Sequence, residues 1–197
     1  MSIVKVLPEL RAAGGAQMAL DAGLLETVDK VLARRYTWAP PALSLGKFQK
    51  YEPVPGVPFD VVRRPSGGRA VLHGEGFEWS FAVAFPPGAL GVTLDGGRES
   101  AYRRSALCFA SVLRHDLTAR GEKLVAVAQA RRGGRVLVHG SVLERRPPDE
   151  LAQVAETLLG EPWQGDGLAG AGYVLAPDMI WKRVLVRLEA ALQQLVV

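Results

Sequence analysis

Arg63-Arg64-Pro65-Ser66-Gly67-Gly68-Arg69-Ala70-Val71-Leu72-His73-Gly74 is the densest run of structural signals in the chain. Phe59 to Arg63 and Ala70 to His73 are short β-prone runs, and Gly67-Gly68 between them predicts a tight turn. Glycine tolerates positive φ and, lacking a Cβ, lets another group approach the backbone closely. The surrounding arginines add fixed positive charge suited to an anionic or polarised group. On these residues alone two readings stand side by side: a β-turn with a solvated basic rim, and a loop that holds a ligand.

Working outward, Phe77 to Phe85 alternates Phe77, Trp79, Phe81, Val83 and Phe85, which predicts a strand with one strongly apolar face. Leu124 to Ala128 and Val136 to Val142 read as strands joined through Arg131-Arg132-Gly133-Gly134, a hairpin signal. Arg35 to Leu45 is β-prone and broken by Pro40 and Pro41. Gly14 to Thr27 carries Met18, Leu20, Leu24 and Leu25 with Glu26 outward, an amphipathic helix. Asp149 to Leu159 is a second helix, with Asp149 near its start and Gly160 just past its end. In Pro177 to Leu195, Met179, Ile180, Leu185, Leu188, Leu192 and Leu195 recur at helical spacing, and Pro177 sits where a missing N–H costs little. Strands in runs with helices at both ends predict an α+β layered domain.

A chain of 197 residues favours one compact domain. Hydrophobic residues at 48% and charged residues at 22% are an ordinary soluble composition. No apolar run approaches the roughly 20 residues that cross a bilayer, so no membrane partner is expected. The N-terminus has no apolar h-region, which makes the cytoplasm the expected compartment. Cys108 is the only cysteine, so no intramolecular disulfide can form. His73, His115 and His139 have no metal-ligand spacing, and no metal is expected. The net charge of +4 suits an acidic partner, such as a carrier protein or a nucleic acid, or simply reflects a solvated arginine-rich surface. No nucleic-acid reader motif accompanies it, so nucleic acid is not expected as a partner.

Taken in order, several stretches resemble the lipoate/octanoate protein transferase and ligase family. The double-glycine run resembles that family's R-R-x-[ST]-G-G-[GR]-A-V-x-H motif. Trp38 to Lys50 looks like its W-x-P-x-x-[LS]-S-[LI]-G-x-[FN]-Q segment, and Met18-Ala19-Leu20-Asp21 like its N-M-A-L-D helix, with Gln17 for the usual Asn. Lys123 to Gln129 resembles K-[IV]-x-G-S-A-Q, and His139-Gly140-Ser141-Val142-Leu143 resembles H-G-S-[IL]-L. The resemblance covers residues 17 to 143 and is closest to the Cys-type octanoyltransferases. In those, Cys-Phe lies fifteen residues before the motif lysine, as Cys108-Phe109 lies before Lys123; Arg104-Ser105-Ala106-Leu107 also resembles the R-S-A-x ahead of their cysteine. Read alone, Cys108 is by default a small buried hydrophobe and Lys123 a surface lysine in a turn. Yet Lys123 is the single lysine among 13 arginines between Lys50 and Lys182, where a compact ammonium does a task that arginine does badly.

The resemblance implies an α+β fold of mixed, largely antiparallel sheets flanked by helices, like the class II aminoacyl-tRNA synthetase/biotin synthetase-like fold. It implies one catalytic domain over residues 1–197 with no accessory C-terminal domain, and an octanoyl- or lipoyl-transferase. Cys108 would take the acyl group from an acyl carrier protein as a thioester. A lysine of a lipoyl domain, such as glycine cleavage H protein or a 2-oxoacid dehydrogenase E2, would then receive it. Lys123 would favour the thiolate or stabilise the oxyanion. Arg64, Ser66, Gly67, Gly68, Arg69, Ala70, His73, Gln129, His139 and Gly140 would form the acyl or substrate site. No cofactor is implied; ATP and Mg would enter only for a ligase. Three departures stand out: Gly74 in place of the family's Asp, Ala126-Val127 in place of Gly-Ser, and a short segment between Phe85 and Cys108. The competing expectations are an ATP-dependent lipoate ligase, a lipoyl amidotransferase, and a non-catalytic member that binds acyl groups or carrier proteins. The aromatic strand, through Trp79 and Phe81, is read either as a core face or as one wall of an acyl tunnel.

Overall fold

The computed structural model describes residues 2–89, 106–110 and 116–195. In chain order it carries β1 (Lys5–Val6), β2 (Leu10–Ala12), α1 (Gly14–Thr27), β3 (Leu32–Trp38), β4 (Ala42–Leu45), β5 (Asp60–Arg63), β6 (Val71–His73) and β7 (Glu78–Phe85). A 3-10 turn at Cys108–Ala110 follows, then β8 (Leu117–Ala119), β9 (Glu122–Arg132), β10 (Arg135–Leu143), α2 (Asp149–Leu159), α3 (Gly167–Gly170) and α4 (Pro177–Leu195).

The aromatic strand β7 lies inside a seven-stranded sheet of order β1-β3-β7-β10-β9-β8, with β2 also paired to β3. Because strand side chains alternate, β7 sends Trp79, Val83 and Phe85 to one face. There they pack with Val136 and Val142 of β10 against Trp181 and Leu192 of α4. Full burial of each such side chain contributes about 1.5–3 kcal/mol. Phe81 joins the same layer, 6.4 Å from the Trp181 ring. Of the two readings of Trp79 and Phe81, the structure chooses the core face. The opposite face of the sheet, with Ala82, Ala84 and Leu137, receives Met18, Leu24 and Leu25 of α1.

A second, three-stranded sheet has the order β5-β4-β6. Its Leu43, Leu45, Val71 and Leu72 share one core with Leu107, Phe109, Trp163 and Ala152 and Ala155 of α2.

α1, α2 and α4 occupy the predicted spans, and Gly160 ends α2 in the left-handed conformation at φ 69°. The predicted hairpin forms and is longer, with Gly133 and Gly134 at φ 54° and 77° in its turn. The expected neighbours around Gly67-Gly68 are arranged differently: β5 and β6 do not pair with each other. β4 runs between them, parallel to β5 and antiparallel to β6. The architecture is the expected α+β arrangement of mixed, largely antiparallel sheets with helices.

Candidate active site

Lys123 stands at the start of β9 beside a register irregularity, where β8 pairs Leu117 with Val125 and Thr118 with Lys123. The extra residue sends both Leu124 and Val125 toward the α4 layer. Lys123 is thereby re-aimed to the other side, toward Phe109, whose ring lies 5.8 Å from the ammonium. The side chain is buried, and its Nζ donates to the Cys108 carbonyl at 2.8 Å and lies 3.6 Å from the Cys108 sulfur. Asp116 Oδ2 is 2.7 Å from the same ammonium, and its own side chain is only 6% exposed. Cys108 itself is half-buried.

Two devices hold the segment that carries the thiol. The Cys108 N–H donates to Ala70 O at 2.8 Å and the Ala70 N–H to Ala106 O at 2.9 Å. This bridge ties the far end of the double-glycine run directly to the cysteine. Glu161, just after α2, accepts the N–H groups of Ala106 at 2.7 Å and Leu107 at 3.4 Å. Neither Asp116 nor Glu161 stood out in the sequence: the first meets Lys123 across the β8–β9 hairpin, and the second meets a backbone more than fifty residues away. Arg104, Ser105 and His115, and most of the shortened Phe85–Cys108 segment, lie outside the described residues.

The double-glycine loop is pinned from below. Lys47 N–H donates to Ser66 O at 2.8 Å. A Cβ at Gly46 would overlap the Gly68 carbonyl, and Gly68 has φ 103°, so both positions require glycine. Arg63 and Arg64, read from the sequence either as a solvated rim or as charge for a ligand, hold backbone. Arg64 donates to the carbonyls of Ser44, Gly67 and Arg69 at 2.9, 3.1 and 2.5 Å, and Arg63 to those of Gly46, Lys47 and Gln49. A loop whose carbonyls point inward needs donors there, and a guanidinium supplies several in one plane. Arg69 is half-buried on the same loop.

Ser66 and His139 belong to a buried network. Ser66 Oγ meets His139 Nε2 at 2.5 Å, and His139 Nδ1 meets Asp21 Oδ2 at 2.9 Å. Arg34 donates to Asp21 Oδ1 at 2.6 Å, and Tyr36 donates to Oδ2 at 3.1 Å. Gln17 accepts from Arg34 at 2.8 Å. Burial alone would raise the Asp21 pKa; the hydrogen bond and charge of His139, with those of Arg34, outweigh it and hold the carboxyl below its ordinary 3.8. Burial, then the Asp21 charge, push the Tyr36 phenol well up, so it stays a donor.

His73 occupies a parallel arrangement. Its Nε2 meets Ser44 Oγ at 2.7 Å, its Nδ1 meets Glu78 Oε1 at 3.1 Å, and its ring stacks on Trp38 at 4.0 Å. It faces core side chains and does not meet Cys108 or Lys123. Gly74, where the family has Asp, leaves room that the Phe77 ring fills.

Gln129 and Gly140 are not brought to the thiol. Gln129 pairs with Val138 and alternates with Ala128 and Ala130, on the sheet face that α4 covers. Gly140 is on that face too, where a Cβ would come within 2.8 Å of the Phe81 ring. Strand period, not chain proximity to Lys123, decides where they point. The structure thus brings Cys108, Lys123 and Ala70 together, with Gly67 and Gly68 one turn away on the pinned loop. Among the described residues, no group of three or more His, Cys, Asp or Glu could hold a metal ion. No described helix is long and apolar enough to cross a membrane.

The lipoyl protein ligase A/B catalytic domain matches residues 14–158. Octanoyltransferase LipM of Carboxydothermus hydrogenoformans is 32% identical over 176 residues, which cover 72% of this chain and 65% of that protein. The chain therefore spans about two thirds of that relative's length. Its fold matches lipoate-protein ligase A bound with ATP, with a TM-score of 0.66 at 18% identity over 98% of this chain and 85% of that one. It also matches a bi-partite lipoate protein ligase from Thermoplasma acidophilum, with a TM-score of 0.58 at 18% identity over 98% and 84% of the two chains.

Proposed function

Because the chain belongs to the lipoyl protein ligase A/B catalytic domain family, we propose that it transfers an octanoyl or lipoyl group through Cys108 to a lysine of a lipoyl domain. The observation that carries this reading is the approach of the Lys123 ammonium to 3.6 Å from the Cys108 sulfur, in a site that Asp116 and the Ala70 bridge hold together. The kinship with octanoyltransferase LipM supports the same chemistry.

The donor is an acyl thioester on an acyl carrier protein. The Cys108 thiolate attacks its carbonyl, the bond from acyl carbon to carrier sulfur breaks, and the carrier thiol leaves with the proton. Thioester is exchanged for thioester, so no ATP is needed. In the second half the amine of the acceptor lysine attacks the acyl-enzyme, loses a proton, and releases the Cys108 thiol as the amide forms. Amide is more stable than thioester, so this half drives the transfer forward. In both tetrahedral intermediates an oxyanion develops beside the sulfur, where an ammonium fixed in a dry site stabilises it far better than in water. Ser66, Gly67, Gly68, Arg69 and Ala70 would shape the acyl path, with Arg64, His139 and His73 holding that wall. The acceptors would be glycine cleavage H protein or an E2 lipoyl domain, in the cytoplasm, with residues 1–197 acting as one catalytic domain.

Incubation with octanoyl carrier followed by intact-mass measurement tests this. An octanoyl thioester on Cys108, absent in Cys108→Ser, supports it; no adduct from any acyl carrier sinks it. The matched family also contains ligases. In that reading Lys123 would bind an acyl-adenylate and Cys108 would be incidental. Adenylate formation from lipoate and ATP, unchanged in Cys108→Ser, would decide for it.

A further inference from the structure

We infer that Asp116 is a positioning residue for the transfer: it holds the Lys123 ammonium aimed at the thiol. The inference rests on the transfer reading for its meaning, and on the geometry for its support. Lys123 is only 3% exposed. An ammonium in so dry a place is costly unless a counter-charge and hydrogen bonds meet it. Asp116 supplies the counter-charge at 2.7 Å, from a carboxylate that is itself nearly out of solvent. The Cys108 carbonyl takes a second N–H direction at 2.8 Å, and the sulfur stands at 3.6 Å. The ammonium is thus held between a carboxylate and the residue whose thiol reacts.

Two other acidic side chains among the described residues bind backbone. Glu122, adjacent in the chain, accepts the Asp166 N–H at 2.9 Å. Glu161 grips the backbone ahead of the thiol through Ala106 and Leu107. The irregularity falls where Leu117 pairs with Val125 and Thr118 with Lys123, so the β8–β9 hairpin carries Lys123 on one strand and Asp116 directly ahead of the other. Asp116 meets the ammonium of Lys123, and that ammonium meets the sulfur. Asp116 acts through Lys123.

Three readouts test this on the full chain. First, the rate of octanoyl-thioester formation at Cys108 is expected to fall about 10- to 100-fold in Asp116→Asn, short of the roughly 10²–10³-fold lost when an oxyanion donor is deleted outright. Asp116→Glu should recover most of the rate, and affinity for the carrier should not move. Second, adding Asp116→Asn to Lys123→Ala should cost nothing further, because the two residues act as one unit. Third, alkylation of Cys108 by iodoacetamide at neutral pH, which needs no acyl donor, should be several-fold slower in Asp116→Asn. A wild-type rate of thioester formation in Asp116→Asn, losses that multiply in the double variant, or alkylation as fast as wild type would each overturn the inference. Failure of wild-type protein to take an octanoyl group would instead overturn the transfer reading, and the alkylation rate would still judge Asp116.

Discussion

Two buried charged clusters in this molecule are finished in different ways. Around Asp21, both carboxylate oxygens accept hydrogen bonds from protein: Oδ1 from Arg34, Oδ2 from Tyr36 and His139. Every link ends on another buried partner, and the last, Ser66, is part of the double-glycine loop. At Cys108 the buried ammonium is also matched by a carboxylate, but it lies 3.6 Å from a sulfur that is only half-buried. The first cluster converts polar groups into rigidity, and the second leaves a thiol that is only half-buried. A shifted carboxyl is therefore a poor guide to chemistry here: Asp21 has a lowered pKa, and its partners tie it into the fold.

The sharpest break between the clusters should come from Cys108→Ala. It is expected to abolish the acyl-enzyme while leaving the thermal midpoint nearly unmoved, measured by intact mass and by calorimetry. Asp21→Asn should do the reverse. It leaves Arg34 charged, buried and without its counter-ion, so stability should fall by about 3–5 kcal/mol in urea titrations; a loss below about 1 kcal/mol would mean the network does not hold the fold. The acid side sharpens this further. A folded pKa below 3.8 means that Asp21 stabilises fully above that value and loses its contribution as pH falls through the lower folded one. Wild-type protein should thus show a steeper acid loss of stability below about pH 4 than Asp21→Asn.

Lys123→Met should slow acyl-enzyme formation by about 10²–10³-fold, equivalent to about 2.7–4 kcal/mol of barrier, in rapid-quench measurements. A loss below tenfold would move the oxyanion stabilisation elsewhere. The smallest effect is expected at Glu78, which superficially copies Asp21. It sits beside His73 and accepts from Ser80 at 2.5 Å, but among the described residues no arginine pairs with it and its Oε2 has no partner. Glu78→Gln keeps the accepting oxygen and should change stability by only about 1 kcal/mol. A loss as large as that of Asp21→Asn would show that the two histidine arrangements carry charge alike.

Much was legible from the chain because local physics decides it. The helix spans follow from apolar spacing and end signals, as at Pro177 and Gly160, and the Gly133-Gly134 turn needs φ values that glycine adopts freely. The fifteen-residue interval from Cys108 to Lys123 was legible too, although nothing in it says that the two side chains meet. Gln129 and Gly140 share a strand pair with the site in sequence, and the strand period turned them to its far face.

By itself, the sequence determined which segments become helix and strand, where the turns fall, and which thiol and lysine are available. Those outcomes depend on neighbours a few residues away. Only the tertiary structure decided that β4 separates β5 from β6, that Arg63 and Arg64 serve backbone carbonyls, and that a bulge turns Lys123 onto Cys108 beside Asp116. Strand order, burial and charge pairing arise between residues far apart in the chain, so no local pattern encodes them.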